Sequence, residues 1–314
     1  MNRKKLIAFS LSLAMTVVPV TPAAAAGAEQ NSEGLQNAVL DLGFENSLED
    51  SSGKGNNGTL SSGNAEYVDG VVGKALKMNG SSYVNLGTST DLQPENLTLS
   101  FWIRPDTAMT GEELISWNKN EWYTDGWYLS SENDNTPLTL SIGPAKTNGQ
   151  PYRVSVSGKR SDFFPAGEWT HIAVTYDKDS KEICFYRNGV KCSTVTTYGI
   201  SGESTGVLGS DASMEKSVGY NGPKYKGAYL KASLDEYQLY NDVATPEEDI
   251  ALYEESGQTF DRKAVAQADL DKISIPETTQ GNLSLPATGE SGSAISWSSD
   301  NEAVVAADGT VVRP

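Results

Sequence analysis

Histidine and cysteine are nearly absent from this chain of 314 residues, which has one histidine, His171, and two cysteines, Cys184 and Cys192. A site that pairs a nucleophile with histidine, or that holds zinc through several histidines and cysteines, therefore has almost no residues available. The stretch GESTG at 202–206 matches the nucleophile-elbow pattern, but it lies in a polar loop and no histidine follows it. We predict no catalytic residue from these patterns, and a structural role in a strand for His171.

Basic residues are also scarce, because 24 Lys and Arg face 41 Asp and Glu, for a formal net charge of −17. A surface this negative repels phosphate backbones and anionic lipids, which disfavours nucleic acids and membrane surfaces as partners. Neutral polymers, cations and glycans remain as partners. The acidity is equally explained as a general means of keeping a protein soluble.

Long apolar runs are missing except at the N-terminus. Arg3, Lys4 and Lys5 precede the apolar run 6–20, and TPAAAA then supplies small residues up to Ala26. This order predicts a secretory signal peptide over 1–26, and hence a secreted or cell-surface protein in an oxidising compartment. Residues 27–36 are expected to form a flexible N-terminus.

Short alternating runs separated by Gly, Asn, Asp and Ser fill residues 37–257. In LTLSFWI, for example, Leu97, Leu99, Phe101 and Ile103 fall on one face. This pattern predicts an all-β fold, a β-sandwich of antiparallel strands. One short C-terminal helix should begin at Thr245, because TPEE places a capping threonine before proline and a capping-box glutamate.

The end of the chain changes character. Residues 258–270 indicate a polar linker, and 271–314 form a new set of short strands that ends mid-pattern at Pro314. Forty-odd residues cannot close a two-sheet core of their own. We therefore expect a partial domain and a missing C-terminal catalytic domain in a longer chain.

Several motifs carry a family resemblance. The segment 40–87, with its DSSGKGNNGT loop and VVGKAL strand, resembles the opening of laminin G-like, concanavalin A-like jelly-roll domains. LTLSFWIRP, GEWTHIAVTYD, FYRNGV and LDEYQLYNDVATPEED follow in the family's order. The segment SWSSDNEAVVAADGTVVRP resembles part of a bacterial Ig-like module.

The resemblance implies a function as well as a fold. Such domains accompany secreted glycoside hydrolases, and the pairing with an Ig-like module is similar to arabinose-releasing enzymes. We therefore expect a non-catalytic carbohydrate-binding module. One alternative is an adhesion or spacer module that binds a protein or nothing, with buried aromatic rings. Another is a glycosidase, since carboxylates are abundant enough to supply a catalytic pair.

A structural calcium site is also implied by the resemblance, at Glu45, Asn57 and Asp235. Carboxylate and amide oxygens near the first and last strands are ligands that calcium prefers. The alternative is that DSSGKGNNG is only a long turn and that Asp235 is a solvated charge.

The two cysteines pose a question of hairpin register. If Arg187, Asn188 and Gly189 form a three-residue loop, Cys184 lies opposite Cys192 and a disulfide becomes possible. A two-residue loop instead places the cysteines on opposite faces.

Aromatic residues crowd into WNKNEWYTDGWY at 117–128. The strand GWYLS places Trp127 in the core, whereas Trp117 is ambiguous. Rings beside amides and carboxylates suit sugars, because a ring covers the C–H face and polar groups bond the hydroxyls. The alternative is that the loop folds back and buries its rings. The predicted sugar contacts are Trp122, Tyr123, Asn120 and Asp125, and more weakly Tyr220 and Tyr225.

Overall fold

The computed structural model describes residues 13–18, 35–36, 38–119, 126–144, 151–196, 213–220, 229–276, 279 and 281–312. The chain divides into two units, one of Glu29–Phe260 and one of Met1–Ala28 with Asp261–Pro314. None of the described helices is both long and apolar enough to span a membrane.

Two antiparallel sheets form the larger unit. Their strands are β2 (Ala38–Leu42), β3 (Thr59–Leu60), β4 (Glu66–Asp69), β5 (Lys74–Lys77), β6 (Val84–Asn85), β7 (Leu97–Arg104), β8 (Glu113–Lys119), β9 (Gly126–Ser131), β10 (Thr139–Pro144), β11 (Pro151–Ser155), β12 (Thr170–Tyr176), β13 (Glu182–Arg187), β14 (Val190–Thr196), β15 (Ser217–Val218) and β16 (Ser233–Tyr240). The first sheet has seven strands in the order β11-β10-β9-β8-β15-β6-β3, and the second runs β14-β13-β12-β7-β16-β5-β4, with β2 also pairing with β16. The fold is therefore the predicted antiparallel β-sandwich.

The core lies between the two sheets and follows the alternation of the strands. Leu97, Leu99, Phe101 and Ile103 of β7 are all fully buried in it, which confirms the predicted face. Trp127 from the seven-stranded sheet also enters this core, as predicted. Apolar area removed from water stabilises the fold by roughly 25 cal/mol per Å², so this shared face is what holds the sheets together.

One helix packs on the outer face of the eight-stranded sheet. A short helix α1 (Arg160–Phe163) precedes it, and α2 (Pro246–Glu255) follows β16. Thr245 accepts a hydrogen bond from the Glu248 N–H, and the Glu248 carboxylate accepts from Thr245 in return, so the predicted capping box is confirmed. Ile250 and Leu252 are buried, and the chain leaves the helix at Gly257 with φ of 80°.

The hairpin of β13 and β14 settles the cysteine register. Arg187 lies opposite Val190, so Asn188 and Gly189 form a two-residue loop, and both have positive φ, as such tight hairpins require. A bulge then places Cys184 opposite Thr194. Neither Cys184 nor Cys192 takes part in a disulfide. The bridge between them needed the other register, so the possible disulfide is not formed here.

The smaller unit contains α3 (Arg262–Lys272), β17 (Ala294–Ser299) and the backbone of β1 (Leu13–Val18), which pairs antiparallel with β17. Asp261 caps α3 by accepting from the Lys263 and Ala264 N–H groups. Much of the predicted linker 258–270 is therefore helical and belongs to this unit. Because β1 falls within the predicted signal peptide, cleavage after Ala26 would leave β17 without this neighbour.

Candidate binding site

The outer face of the eight-stranded sheet carries a buried aromatic and polar pair. Ser100 and Trp102 of β7 point away from the core because their neighbours Leu99 and Phe101 point into it. His171 on β12 lies opposite Trp102, and their ring centroids are 5.2 Å apart. The Ser100 Oγ lies 2.8 Å from His171 Nε2, which fixes the plane of the imidazole.

His171 is a neutral, structural imidazole. Burial lowers the pKa of His171 to about 3, so the ring carries no charge at physiological pH. Its Nδ1 is buried and has no hydrogen-bond partner within the part of the chain that the structure describes. A polar atom left in this state costs free energy unless another group meets it.

Helix α2 adds a third ring to this pair. The Tyr253 ring stacks on Trp102 with 5.5 Å between centroids, and it lies 5.8 Å from the His171 ring. Phe260 packs edge-on against the other side of Tyr253 at 6.4 Å. The capped helix therefore holds Tyr253 against the sheet and leaves part of the ring exposed.

A cleft of about 400 Å³, called here the aromatic cleft, opens beside these rings. Trp169 is half-buried at its wall, and the Arg104 guanidinium lies 5.0 Å from the centre of the Trp169 ring. Flat rings flanked by amides can cover the C–H face of a sugar and bond its hydroxyls. The cleft is lined by Gly70, Val71, Trp102, Trp169, Asn188, Tyr253 and Gln258.

A second cavity of about 220 Å³, the acidic cavity, shares Trp102 with the aromatic cleft. Burial, reinforced by the neighbouring Asp235 carboxylate, raises the pKa of Glu236 to about 7. Burial, followed by the Asp41 carboxylate, also raises the pKa of Glu255. The lining residues are Val72, Ser100, Trp102, His171, Glu236, Gln238, Leu252, Glu255 and Ser256.

Comparison with known families explains this arrangement of sheets. Residues 78–249 match the family described as the concanavalin A-like lectin/glucanases superfamily. The chain belongs to this superfamily. Residues 263–314 match the atrophied bacterial Ig domain, so both modules and their order are as the sequence predicted. No curated protein matches the chain.

Solved structures resemble the concanavalin A-like domain in fold. Domain 4 of AbnA, a GH43 extracellular arabinanase from Geobacillus stearothermophilus solved with arabinotriose, is similar at TM-score 0.51 and 22% identity. The match covers 69% of this chain and 100% of that one. The binding domain of Paraclostridial Mosquitocidal Protein 1 is similar at TM-score 0.52 and 21% identity, covering 70% of this chain and 52% of that one.

A botulinum neurotoxin type C structure is also similar, at TM-score 0.51 and 17% identity, covering 70% of this chain and 51% of that one. Cell entry of that neurotoxin depends on interaction with two ganglioside molecules. This chain thus spans about half of each toxin chain. At these identities the likeness establishes the fold.

Of the predicted sugar contacts, the structure describes only Tyr220. Asn120, Trp122, Tyr123 and Asp125 lie outside the described residues, as does Tyr225. Tyr220 is described, and it is the middle ring of a stack.

The Tyr220 ring lies between Tyr83 and Tyr229, with centroids 4.9 and 4.2 Å apart respectively. Only 5% of Tyr220 is exposed. Little of the Tyr220 ring is therefore left to stack on a sugar, whereas Tyr83 and Tyr229 are each less buried.

Trp117 lies on the outer face of the seven-stranded sheet. It stacks on Tyr128 at 5.3 Å and forms a small buried cluster with Leu114. Its indole N–H donates to the Lys119 carbonyl. The ambiguous tryptophan is therefore buried, on the opposite side of the sheet from Trp127.

Two of the three predicted calcium ligands, Glu45 and Asp235, meet at the turn that contains Gly70 and Gly73. The Asp235 carboxylate accepts hydrogen bonds from the N–H groups of Val71, Val72 and Glu236. Glu45 Oε1 accepts from the Lys74 N–H. Both carboxylates therefore accept hydrogen bonds from the backbone of one tight turn.

Gly70 and Gly73 make this close approach possible. A Cβ on Gly70 would meet an Asp235 oxygen at 2.4 Å, and a Cβ on Gly73 would meet a Glu45 oxygen at 2.1 Å. The Asn57 side-chain oxygen accepts a hydrogen bond from the Asp50 N–H. Within the described ranges, no three acidic, histidine or cysteine side chains are placed to hold a metal ion.

Calcium binding stays a prediction of the family resemblance, and melting experiments test it. If calcium binds, the melting temperature should be higher with calcium than with a chelator, whereas hydrogen bonds from backbone N–H groups alone predict no difference. Ligand at about 100 times its Kd would stabilise the fold by about 2.7 kcal/mol, a shift that calorimetry resolves easily. Such a rise, lost in an Asp235→Asn variant and absent with magnesium, would show that calcium binds at Asp235 and replaces these hydrogen bonds.

Sequence reasoning missed the residues that line the aromatic cleft. Trp102 carried a usable signal, because its position in LTLSFWI puts a large ring on the face opposite the core residues. The helix pattern predicted that Tyr253 faces the sandwich, but nothing in the sequence predicted that it shares a site with Trp169, Asn188 and Gln258, because only the tertiary fold brings these segments together.

Proposed function

We propose that this concanavalin A-like domain is a secreted, non-catalytic carbohydrate-binding module that serves as an accessory part of a larger polysaccharide-degrading enzyme. The observation that carries the proposal is the aromatic cleft. Its partly exposed Trp169 and Tyr253 rings lie beside the amides of Asn188 and Gln258. Such a combination gives affinity through ring stacking and specificity through a few hydrogen bonds.

The neighbouring structures support the same class of ligand. The arabinanase domain was solved with arabinotriose, and the type C neurotoxin interacts with gangliosides. The finer proposal is an arabinose-containing polysaccharide. A spacer module would bury its aromatic rings, so the exposed parts of Trp169 and Tyr253 favour a binding role.

Affinity electrophoresis of the full chain through gels containing arabinan, xylan or pectin tests this proposal. We expect retardation in the arabinan gel, with no release of reducing sugar when the chain is incubated with the same polymer. The proposal is wrong if no polysaccharide retards the chain. Release of product would instead make the chain a glycosidase.

A further inference from the structure

We propose that the acidic cavity binds the ammonium group of an amino sugar, so that the module accepts free hexosamine residues in addition to neutral sugars. This rests on the proposed carbohydrate-binding function. It adds a charge-selective subsite to the aromatic cleft.

The charges around the cavity all favour a cation. Glu236 and Glu255 supply two carboxylates, and no lysine or arginine stands among the residues that line it. Helix α2 ends at Glu255, next to Ser256 in the lining, and its last turn contains no basic residue. The carbonyl end of a helix carries partial negative charge, so the end of α2 adds to the negative potential of the two carboxylates.

His171 gives independent evidence for a missing polar partner. Its side chain lines the cavity, it is 1% exposed, and its Nδ1 has no hydrogen bond within the described residues. When Nε2–H donates to the Ser100 Oγ, Nδ1 presents a lone pair. An ammonium or hydroxyl proton of a ligand can satisfy that lone pair, whereas the imidazole itself brings no positive charge.

The position of Trp102 favours an amino sugar over a simple amine as the ligand of the acidic cavity. This ring lines both the acidic cavity and the aromatic cleft. A saccharide that lies along the cleft therefore lies next to the cavity that holds the carboxylates. Carboxylates and amides also accept from sugar hydroxyls, so Gln238 can orient the same residue.

Titration calorimetry with two tetrasaccharides tests the inference. The full chain is titrated with a glucosamine tetramer and with the same tetramer fully N-acetylated, each at low and at moderate salt. Because charge-assisted hydrogen bonds are the strong ones, we expect the amine form to bind at least about tenfold more tightly, with a preference that falls as salt rises.

Glutamine variants locate the effect. Glu236→Gln and Glu255→Gln should each lower the preference for the amine form. Glu255 is more accessible to solvent than Glu236, so its replacement should disturb the fold less than that of Glu236. Glu49→Gln removes the same charge at an exposed position of the same unit, and its preference should be unchanged.

The results separate this inference from the proposed function. Equal affinity for both tetramers, or a preference that neither glutamine variant changes, overturns the amino-sugar subsite. Stronger competition by a lysine-rich peptide than by the tetramer overturns it in favour of a protein partner. Binding of arabinan without binding of either tetramer rejects the subsite alone, whereas failure of every saccharide rejects both.

Discussion

Replacing Asp249 with asparagine should make the larger unit more stable at neutral pH and remove a pH dependence of its folding. Asp249 lies on α2, is fully buried, and neither carboxyl oxygen has a hydrogen-bond partner in the described part of the chain. Burial raises the pKa of Asp249 to about 8. The phenol and thiol that interact with it, on Tyr186 and Cys192, ordinarily titrate above that pH.

The direction of the pH effect follows from proton binding. Between the unfolded pKa near 3.8 and the folded pKa near 8, the folded state keeps a proton on Asp249 that the unfolded state releases. The free energy of unfolding therefore falls as pH rises through this range, and it levels off above pH 8. Since one pKa unit corresponds to 1.36 kcal/mol, the cost at neutral pH is at most on the order of 4 kcal/mol.

Urea unfolding of the parent and of Asp249→Asn at several pH values measures this effect. The difference in unfolding free energy should grow from pH 4 to pH 8 in favour of the variant. Asp249→Leu, which removes the polar group altogether, should behave in the same way. A constant difference across that range would show that the carboxyl is paired or hydrated in solution.

Removing the ring of Trp169 should abolish most of the affinity for a retained polysaccharide. Aromatic anchors of binding sites commonly cost at least about 2 kcal/mol on truncation to alanine, which is roughly a thirtyfold loss. Trp169 is suited to this test because it is only partly buried, and the Arg104 guanidinium lies 5.0 Å from the centre of its ring.

Three variants make the Trp169 result interpretable. Trp169→Phe keeps a flat ring and should retain part of the affinity. Trp122→Ala addresses the aromatic loop that the sequence favoured, and it should have the smaller effect. If Trp122→Ala abolishes binding and Trp169→Ala leaves it intact, the loop rather than the aromatic cleft holds the ligand.

Local patterns predicted the fold because each element encodes its own signal. The alternation of apolar residues in β7 identifies the face that packs in the core, and the capping box at Thr245 marks the start of α2. The hairpin register at Asn188 and Gly189 stayed open, because the same residues serve a two- or a three-residue loop and a bulge is added later in the strand. Local patterns therefore predicted most of the fold, and they left open the hairpin, where one sequence is compatible with two loop geometries.

The binding site was less predictable for a different reason. Asp235 and Glu45 have the composition of metal ligands, yet backbone N–H groups from the Gly70–Gly73 turn occupy them. No local pattern distinguishes these two uses of a carboxylate. The pairing of Trp102 with Tyr253 depends on where a helix lands on a sheet, about 150 residues further along the chain.

Hydrogen exchange of the full chain, with and without a retained saccharide, tests the central claim most directly. If the aromatic cleft binds the ligand, backbone amides should gain protection in the segments around Val71, Trp169, Asn188 and Gln258. Protection confined to residues 119–126, or to the face around Tyr83 and Tyr229, would contradict the claim and place the sugar on the other sheet.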